Sequence, residues 1–213
     1  MSKHARIFLL ACRRLRGTLV ALLLLPGVAG AASDISPQEL VRDTSSRMLV
    51  ALRDEQEAIA ADPDRLYELV AEIVLPYFDF QRMSQWVLGH NWRIATTEQR
   101  ERFVEQFRVL LVRTYGSALS EYADEKIIYL PFVEPGDAKT VTVRTEIEHV
   151  GAPIPISYSM YRSADGWKVY DVAISGVSLV TNYRSTYGSI IRKEGMDSLI
   201  RQMAERNSRA TDG

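Results

Sequence analysis

The stretch KTVTVRTEIEHV, residues 139–150, alternates apolar and polar side chains over most of its length. Val141, Val143, Thr145 and Ile147 would share one face of an extended chain, and the residues between them would share the other face. A period of two with one apolar face is typical of a strand in an antiparallel sheet that is buried on one side. This stretch decides the fold class, because it divides an otherwise helical chain.

Three neighbouring segments are also predicted to be strands, at residues 127–132, 154–162 and 167–174. The dipeptide Asp165-Gly166 is a strong hairpin signal between the last two of them. The strands therefore follow one another through short connections. This order favours a single antiparallel sheet of four strands.

Helical periodicity fills the chain before residue 124. Apolar residues recur there at three- and four-residue intervals, which places them on one face of a helix. Ser36 and Thr96 are predicted N-caps, and Gln99 completes a capping box with Thr96. The predicted helices cover residues 37–52, 63–75, 79–88 and 97–122. Helical spacing resumes at Ser178 and continues to about residue 207, with interruptions predicted at Gly188 and Gly195.

The order helices, strands, helices is typical of an α+β fold rather than of alternating βαβ units. The prediction is a twisted four-stranded antiparallel sheet with helices packed over one face. A single domain would span residues 32–207, mainly helical over 32–124, sheet over 125–175 and helical over 176–207. Residues 208–213 would form a disordered tail.

The first 31 residues have the pattern of a secretory signal peptide. Five basic residues and no acidic one accompany an apolar run at 19–25 that is too short to span a bilayer. A Pro-Gly pair breaks this run, and small residues at 29–31 match the pattern that signal peptidase reads. Cleavage is predicted after Ala31 or Ala32, with the periplasm as the location. An uncleaved membrane anchor is the alternative.

Charge and cysteine content exclude several classes of protein. Removing residues 1–31 takes away five positive charges and no negative ones, so the formal charge changes from −1 to −6. A mildly acidic protein is a poor candidate for coating nucleic acid or anionic membranes. The only cysteine, Cys12, lies in the predicted signal peptide. The mature chain would therefore lack disulfides, thiolate metal ligands and thiol catalysis.

Catalytic patterns are close to absent. His90 and His149 are the histidines of the predicted mature chain, and neither has a partner at metal-ligand spacing. Nucleophile elbows and phosphate-binding glycine loops are also missing from the sequence. Asp79, Glu121 and Asp171 lie among apolar residues and are candidate perturbed acids, with capping or a buried hydrogen bond as the alternative. We predict no enzyme activity, no cofactor and no metal.

The stretch LPYFDFQRMSQWVLGHNW, residues 75–92, concentrates five Phe, Tyr and Trp side chains among further apolar residues. Such residues fill a packed core, but they also line ligand cavities. Tyrosine and tryptophan can place their apolar bodies against a cavity while their polar tips reach partners. Composition alone leaves both interpretations open.

Several stretches along the chain occur together in one known family. They are LPY (75–77), VLG (87–89), ATTEQR (95–100), the apolar ladder of 103–122, YDVAISGVSLV (170–180) and YGSIIRKEGMDSLIRQM (187–203). In this order they resemble the MlaC family of periplasmic phospholipid-binding proteins, also called toluene-tolerance proteins. The resemblance covers nearly all of the predicted mature chain. It departs from the family at residues 127–139 and after 207.

The resemblance implies a monomeric lipid carrier rather than an enzyme. Its α+β fold would enclose an apolar pocket for the acyl chains of a phospholipid and leave the headgroup near solvent. The carrier would shuttle lipid between an outer-membrane lipoprotein–porin complex and an inner-membrane ABC transporter with a substrate-binding ring protein. This traffic would maintain the lipid asymmetry of the outer membrane. Nucleic acid is not an implied partner.

The resemblance also implies lipid-binding residues. By position, Tyr115 and Val177 would face the acyl chains. Helix and strand phase add eight further residues, which are Met83, Val87, Phe107, Leu111, Leu119, Val143, Tyr158 and Val172.

Three other functions stay open at this point. A carrier in the same family could be devoted to another lipid, such as a hopanoid. A small enzyme on a related fold would need a titrating acid in the pocket, with Asp79 and Asp171 as candidates. A periplasmic interaction module with a filled core would bind no lipid.

Overall fold

The computed structural model describes residues 35–121, 125–133 and 136–209, all of which belong to one compact unit. The predicted signal peptide lies outside the described residues. The helices are α1 (Pro37–Asp54), α2 (Gln56–Ala61), α3 (Asp64–Ile73), α4 (Phe80–Leu88), α5 (His90–Ile94), α6 (Thr97–Glu121), α7 (Leu179–Glu194) and α8 (Met196–Arg209). The strands are β1 (Ile127–Tyr129), β2 (Thr140–Ile147), β3 (Ile154–Ser163), β4 (Gly166–Ile174) and β5 (Val177–Ser178). This order confirms the predicted α+β class.

The predicted helix starts are confirmed by their capping hydrogen bonds. The Ser36 hydroxyl oxygen accepts a hydrogen bond from the Glu39 backbone N–H at 3.2 Å. At the start of α6, Thr96 Oγ1 accepts from the Gln99 N–H and Gln99 Oε1 accepts from the Thr96 N–H, each at 3.1 Å. Each bond satisfies a backbone donor that a helix N-terminus leaves without a partner.

Two short helices, α2 and α5, were not predicted. Neither contributes a buried residue, so neither has the apolar periodicity from which a helix is recognised. The turn before α2 is held by an ion pair between Glu55 and Arg65, which reaches α3. Gly89, at a φ of 54°, ends α4 and lets α5 begin in a new direction.

The sheet has five antiparallel strands in the order β1-β2-β3-β4-β5, so the predicted count of four was wrong. The additional strand, β5, has only two residues, and two residues show no period. Ser175 and Gly176, at φ values of 49° and 80°, form the left-handed turn that folds β5 back onto β4. Strand β1 ends at Tyr129, three residues earlier than predicted.

A β-bulge sets which residues of β4 face the core. Met160 pairs with Val169 and Ser159 pairs with Asp171, so Tyr170 is an extra residue on the β4 side. Val169 and Val172, which are three residues apart, are therefore both buried against the helices.

The C-terminal helices differ from the prediction in two places. Helix α7 continues through Gly188 without interruption, whereas Gly195, at a φ of 87°, separates α7 from α8. Helix α8 ends at Arg209, so the first two residues of the predicted tail are helical. Residues 210–213 lie outside the described part of the chain.

Two apolar clusters hold the elements together. The main cluster lies between the sheet and α4, α6, α7 and α8, with Met83, Phe103, Val143 and Met160 all fully buried. A second cluster joins α1 to α3 and contains Met48, Leu52, Leu66, Leu69 and Val70. Helix α1 therefore contacts α3 through this second cluster, while its Leu40 and Val41 belong to the main cluster.

We predict that Thr96→Ala lowers the free energy of unfolding by about 1 kcal/mol, because it removes the oxygen that caps α6. Thr97→Ala is the matched control, since the neighbouring Thr97 is also exposed and its side chain makes no capping bond. Urea unfolding followed by circular dichroism measures both variants. Equal stability of the two variants would contradict a capping role for Thr96.

Candidate functional site

A cavity of about 550 Å³ lies between the apolar face of the sheet and helices α1, α3, α4 and α6. Most of its wall is aliphatic or aromatic. The polar exceptions are a few hydroxyl-bearing residues, namely Thr44, Ser45, Thr114 and Thr145, besides the phenols of three tyrosines. A volume in the hundreds of cubic ångströms with few polar groups is typical of a site for an apolar small molecule.

The inner end of the cavity is closed. Met83 on α4, Met160 on β3 and Val169 on β4 lie in its wall and are at most 3 % exposed. Behind this end, rings of α6 and α7 pack against each other, with the Phe107 and Tyr183 centroids 5.3 Å apart. Water therefore has no access from this side.

The outer end is partly open, and we call it the mouth. It is formed by Ile127, Ile147 and Ile154, which pair with one another across β1, β2 and β3, and by Leu119 on α6. All three isoleucines are partly exposed, and Leu119 is 37 % exposed. On α6 the wall residue nearer the inner end, Leu111, is only 7 % exposed. The exposure of these leucines thus falls from the mouth inward.

Six of the ten residues predicted to bind lipid lie in the wall of this one cavity. They are Met83, Leu111, Tyr115, Leu119, Tyr158 and Val172. They come from two helices and two strands, and the fold brings them together.

The other four predicted residues lie elsewhere. Val87, Phe107 and Val143 are at most 1 % exposed and belong to the main core cluster, outside the cavity wall. Val177 is 55 % exposed on β5, where it pairs with the wall residue Ile174. Helix and strand phase identifies a buried face, but it does not distinguish the part that packs on core from the part that faces a cavity.

Sequence reasoning missed the wall that α1 contributes. Leu40, Val41, Met48 and Leu52 all lie in the wall, and they form the apolar stripe by which the helix was predicted. This stripe predicts that one face of α1 is buried, but it does not show that this face borders a cavity opposite the sheet.

Two tyrosines in the wall hold their protons more tightly than usual. Burial, with a smaller contribution from the neighbouring Tyr183, raises the pKa of Tyr115 to about 12. Burial also raises the pKa of the Tyr158 phenol. Both phenols are therefore neutral at physiological pH, as an apolar site requires.

The candidate acids have structural partners. Asp79 caps α4 by accepting from the Arg82 backbone N–H at 2.8 Å, and it accepts a second hydrogen bond from the Tyr161 hydroxyl, whose pKa it raises. Asp171 accepts from the Ser178 hydroxyl at 2.6 Å and from the Val180 N–H at 3.1 Å, which ties β4 to the start of α7. Both are explained by the capping alternative. The side chain of Glu121 lies outside the described part of the structure.

Metal and membrane features can be assessed only where the chain is described. Within those ranges, no group of three or more His, Cys, Asp or Glu side chains is placed to hold a metal ion. None of the helices there combines the length and the apolar character needed to cross a membrane.

Comparison with known proteins identifies the family. The model of the family described as "MlaC protein" matches residues 42–205. The chain belongs to the MlaC family. The family predicted from the sequence motifs is thereby confirmed.

The chain is similar to two named relatives. One is the "Intermembrane phospholipid transport system binding protein MlaC" of Haemophilus influenzae, 30% identical over 179 residues that cover 82% of this chain and 84% of the relative. The other is the "Toluene tolerance protein ttg2D" of Pseudomonas putida, 29% identical over 184 residues that cover 85% of this chain and 84% of the relative.

A solved structure is also similar to this chain. It is the phospholipid-binding protein from Ralstonia solanacearum in complex with a phospholipid, with a TM-score of 0.77 and 30% sequence identity. The similarity covers 82% of this chain and 98% of the Ralstonia chain.

We predict a loss of stability between pH 10 and 12 to which Tyr115 contributes. The folded state keeps the Tyr115 proton up to a pKa of about 12, whereas the unfolded state releases it near the ordinary value of 10. The folded state binds more protons in this window, so stability is complete below pH 10 and falls as the pH rises. Urea unfolding at a series of pH values, with phenolate absorbance, measures the effect.

Tyr115→Phe should make this decline shallower. Lysines titrate in the same range, but they contribute equally to both proteins. An identical slope for wild type and Tyr115→Phe would show that the Tyr115 phenol is not protected in the folded state.

Proposed function

We propose that this protein carries phospholipid, with the acyl chains in the cavity and the headgroup at the mouth. The observation that carries the proposal is the cavity itself, with an apolar wall, a closed inner end and a partly exposed outer end. The phospholipid complex of the similar Ralstonia protein supports the same class of ligand. An amphiphile fits such a site because its apolar part is buried while its polar part stays in water.

The proposed contacts with the acyl chains are the six predicted residues of the wall, Met83, Leu111, Tyr115, Leu119, Tyr158 and Val172. Val177 would contact a lipid only at the edge of the cavity wall, because it pairs with the wall residue Ile174. Val87, Phe107 and Val143 would act indirectly, by holding the wall from the core. This division is a revision of the predicted site.

The energetics suit a carrier. Burying a methylene contributes roughly 0.8 kcal/mol relative to water, so a bound lipid does not escape into solvent. In a bilayer the acyl chains are already in hydrocarbon, and the free energy of moving them into the cavity is therefore close to balanced. A protein of this kind can load and unload at membranes, and the direction of transport has to come from its partners.

We propose that the protein acts in the periplasm and carries lipid between the inner and the outer membrane. The partners would be an outer-membrane lipoprotein–porin complex and an inner-membrane ABC transporter with its substrate-binding ring protein. The result would be the maintenance of outer-membrane lipid asymmetry by a monomeric carrier without enzyme activity. The Haemophilus relative is named as the binding protein of an intermembrane phospholipid transport system, which supports this role.

We predict that the protein purified without detergent shows an adduct of phospholipid mass in native mass spectrometry, and that organic extraction removes it. Leu119→Glu should weaken the adduct, because it places a charged carboxylate in the apolar mouth that the acyl chains have to pass. Val50→Glu is the matched control, since Val50 is 48 % exposed on α1 and lies outside the cavity wall.

The mass of the adduct separates the remaining candidates. An adduct of hopanoid mass would show that the protein is a lipid carrier whose ligand is a hopanoid rather than a phospholipid. A bare protein mass, together with no transfer of labelled phospholipid between vesicles, would overturn the proposal in favour of an interaction module. Loss of the adduct in Val50→Glu as well would show that the mouth is not the determinant.

A further inference from the structure

Two hydroxyl groups in the cavity wall lack the partner that a buried hydroxyl normally has. In the described part of the chain, Thr44 Oγ1 on α1 and Thr145 Oγ1 on β2 are buried from solvent and make no hydrogen bond. Both residues lie in the cavity wall, and Thr145 as a whole is only 1 % exposed. Leaving a buried polar group without a partner costs free energy, so native structures rarely do it without a reason.

The local alternatives do not supply these partners. Ser45, the neighbour of Thr44, donates to the Val41 carbonyl at 2.7 Å, which is the usual arrangement for a hydroxyl within a helix. Thr44 makes no such bond. The Thr145 hydroxyl has the Tyr158 phenol as a neighbour: burial raises the pKa of that phenol, and a weak hydrogen bond from Thr145, outside normal hydrogen-bond geometry, lowers it.

The distance of Thr145 from the mouth matches the position of the ester carbonyls in a phospholipid. Thr145 lies two residues inside the mouth residue Ile147 on the same face of β2, which is about 7 Å along the strand. In a diacyl phospholipid, the ester carbonyls are the first polar atoms encountered between the phosphate and the acyl chains. A headgroup at the mouth would therefore place its ester carbonyls at the level of Thr145.

We propose that Thr44 and Thr145 donate hydrogen bonds to the acyl ester carbonyls of the bound lipid, so that the cavity selects ester-linked over ether-linked lipids. The inference rests on the proposed function and adds the chemical class of the ligand. Rotation about χ1 moves a threonine hydroxyl among three staggered positions, so each oxygen can turn toward the cavity without a change of backbone. An ester carbonyl is a strong acceptor, whereas the ether link has no carbonyl to accept these bonds.

The test compares two probes with the same chain length and headgroup, diacyl phosphatidylglycerol and its dialkyl ether analogue. Competition between them for the delipidated wild-type protein is measured by native mass spectrometry. We expect the diester to bind about fivefold more tightly for one hydrogen bond that the ether cannot form. The Thr44→Val/Thr145→Val double variant should bind both probes equally, by losing affinity for the diester alone.

Valine has the shape of threonine without its hydroxyl, so the double variant keeps the cavity. Its thermal unfolding temperature should be equal to that of the wild type or higher, because two unpartnered hydroxyls are removed. Thr142→Val is the matched control on the exposed face of the same strand, and it should keep the preference for the diester.

The outcomes separate this inference from the function on which it rests. Equal binding of the two probes by the wild type, or an equal loss of both in the double variant, would overturn the ester-binding role and leave the carrier in place. Failure of the wild type to bind either probe would overturn the proposed function itself.

Discussion

The apolar face of one twisted sheet has to be kept from water along its whole length, and the rest of the structure depends on how this is done. At the inner end the helices pack directly on the sheet. Four rings of α6 and α7 contact one another there, namely Phe103, Phe107, Tyr183 and Tyr187. Toward the mouth, α1 and α6 face the sheet across the cavity instead. Close packing at one end gives the fold its stability, because interior contacts there are nearly as dense as in a crystal.

Residues that border a cavity lose packing contacts on that side, so the elements that carry them need stabilising contacts elsewhere. Helix α1 has such contacts near both of its ends. At its start the Gln38 side-chain amide donates to the Leu130 carbonyl at 2.8 Å, and the Arg42 guanidinium lies 4.5 Å from the Tyr129 ring centroid. At its end the cluster of Met48 and Leu52 joins it to α3. The helix is thus fixed at both ends while its apolar stripe borders the cavity along most of its length.

The features that local chemistry determines were predictable from the sequence. The capping box of Thr96 and Gln99 and the alternation of β2 both depend on residues within a few positions of each other. The bulge at Tyr170 and the two-residue strand β5 were not predictable, because each exists only in relation to a neighbouring strand. The family motifs gave the ligand class, but they carried no information on which apolar residues border empty space.

Helix α6 explains why Phe107 was grouped with residues that border the cavity although it lies in the core. Phe103, Phe107, Leu111, Tyr115 and Leu119 follow one another at intervals of four residues. A helix of 3.6 residues per turn advances by about 40° beyond a full turn at each such step, or about 120° from Phe107 to Leu119. The same apolar ladder therefore turns from the rings of α7 to the cavity along its length. Periodicity identifies such a ladder as one face, and only the positions of α1, α7 and the sheet divide it into core and ligand wall.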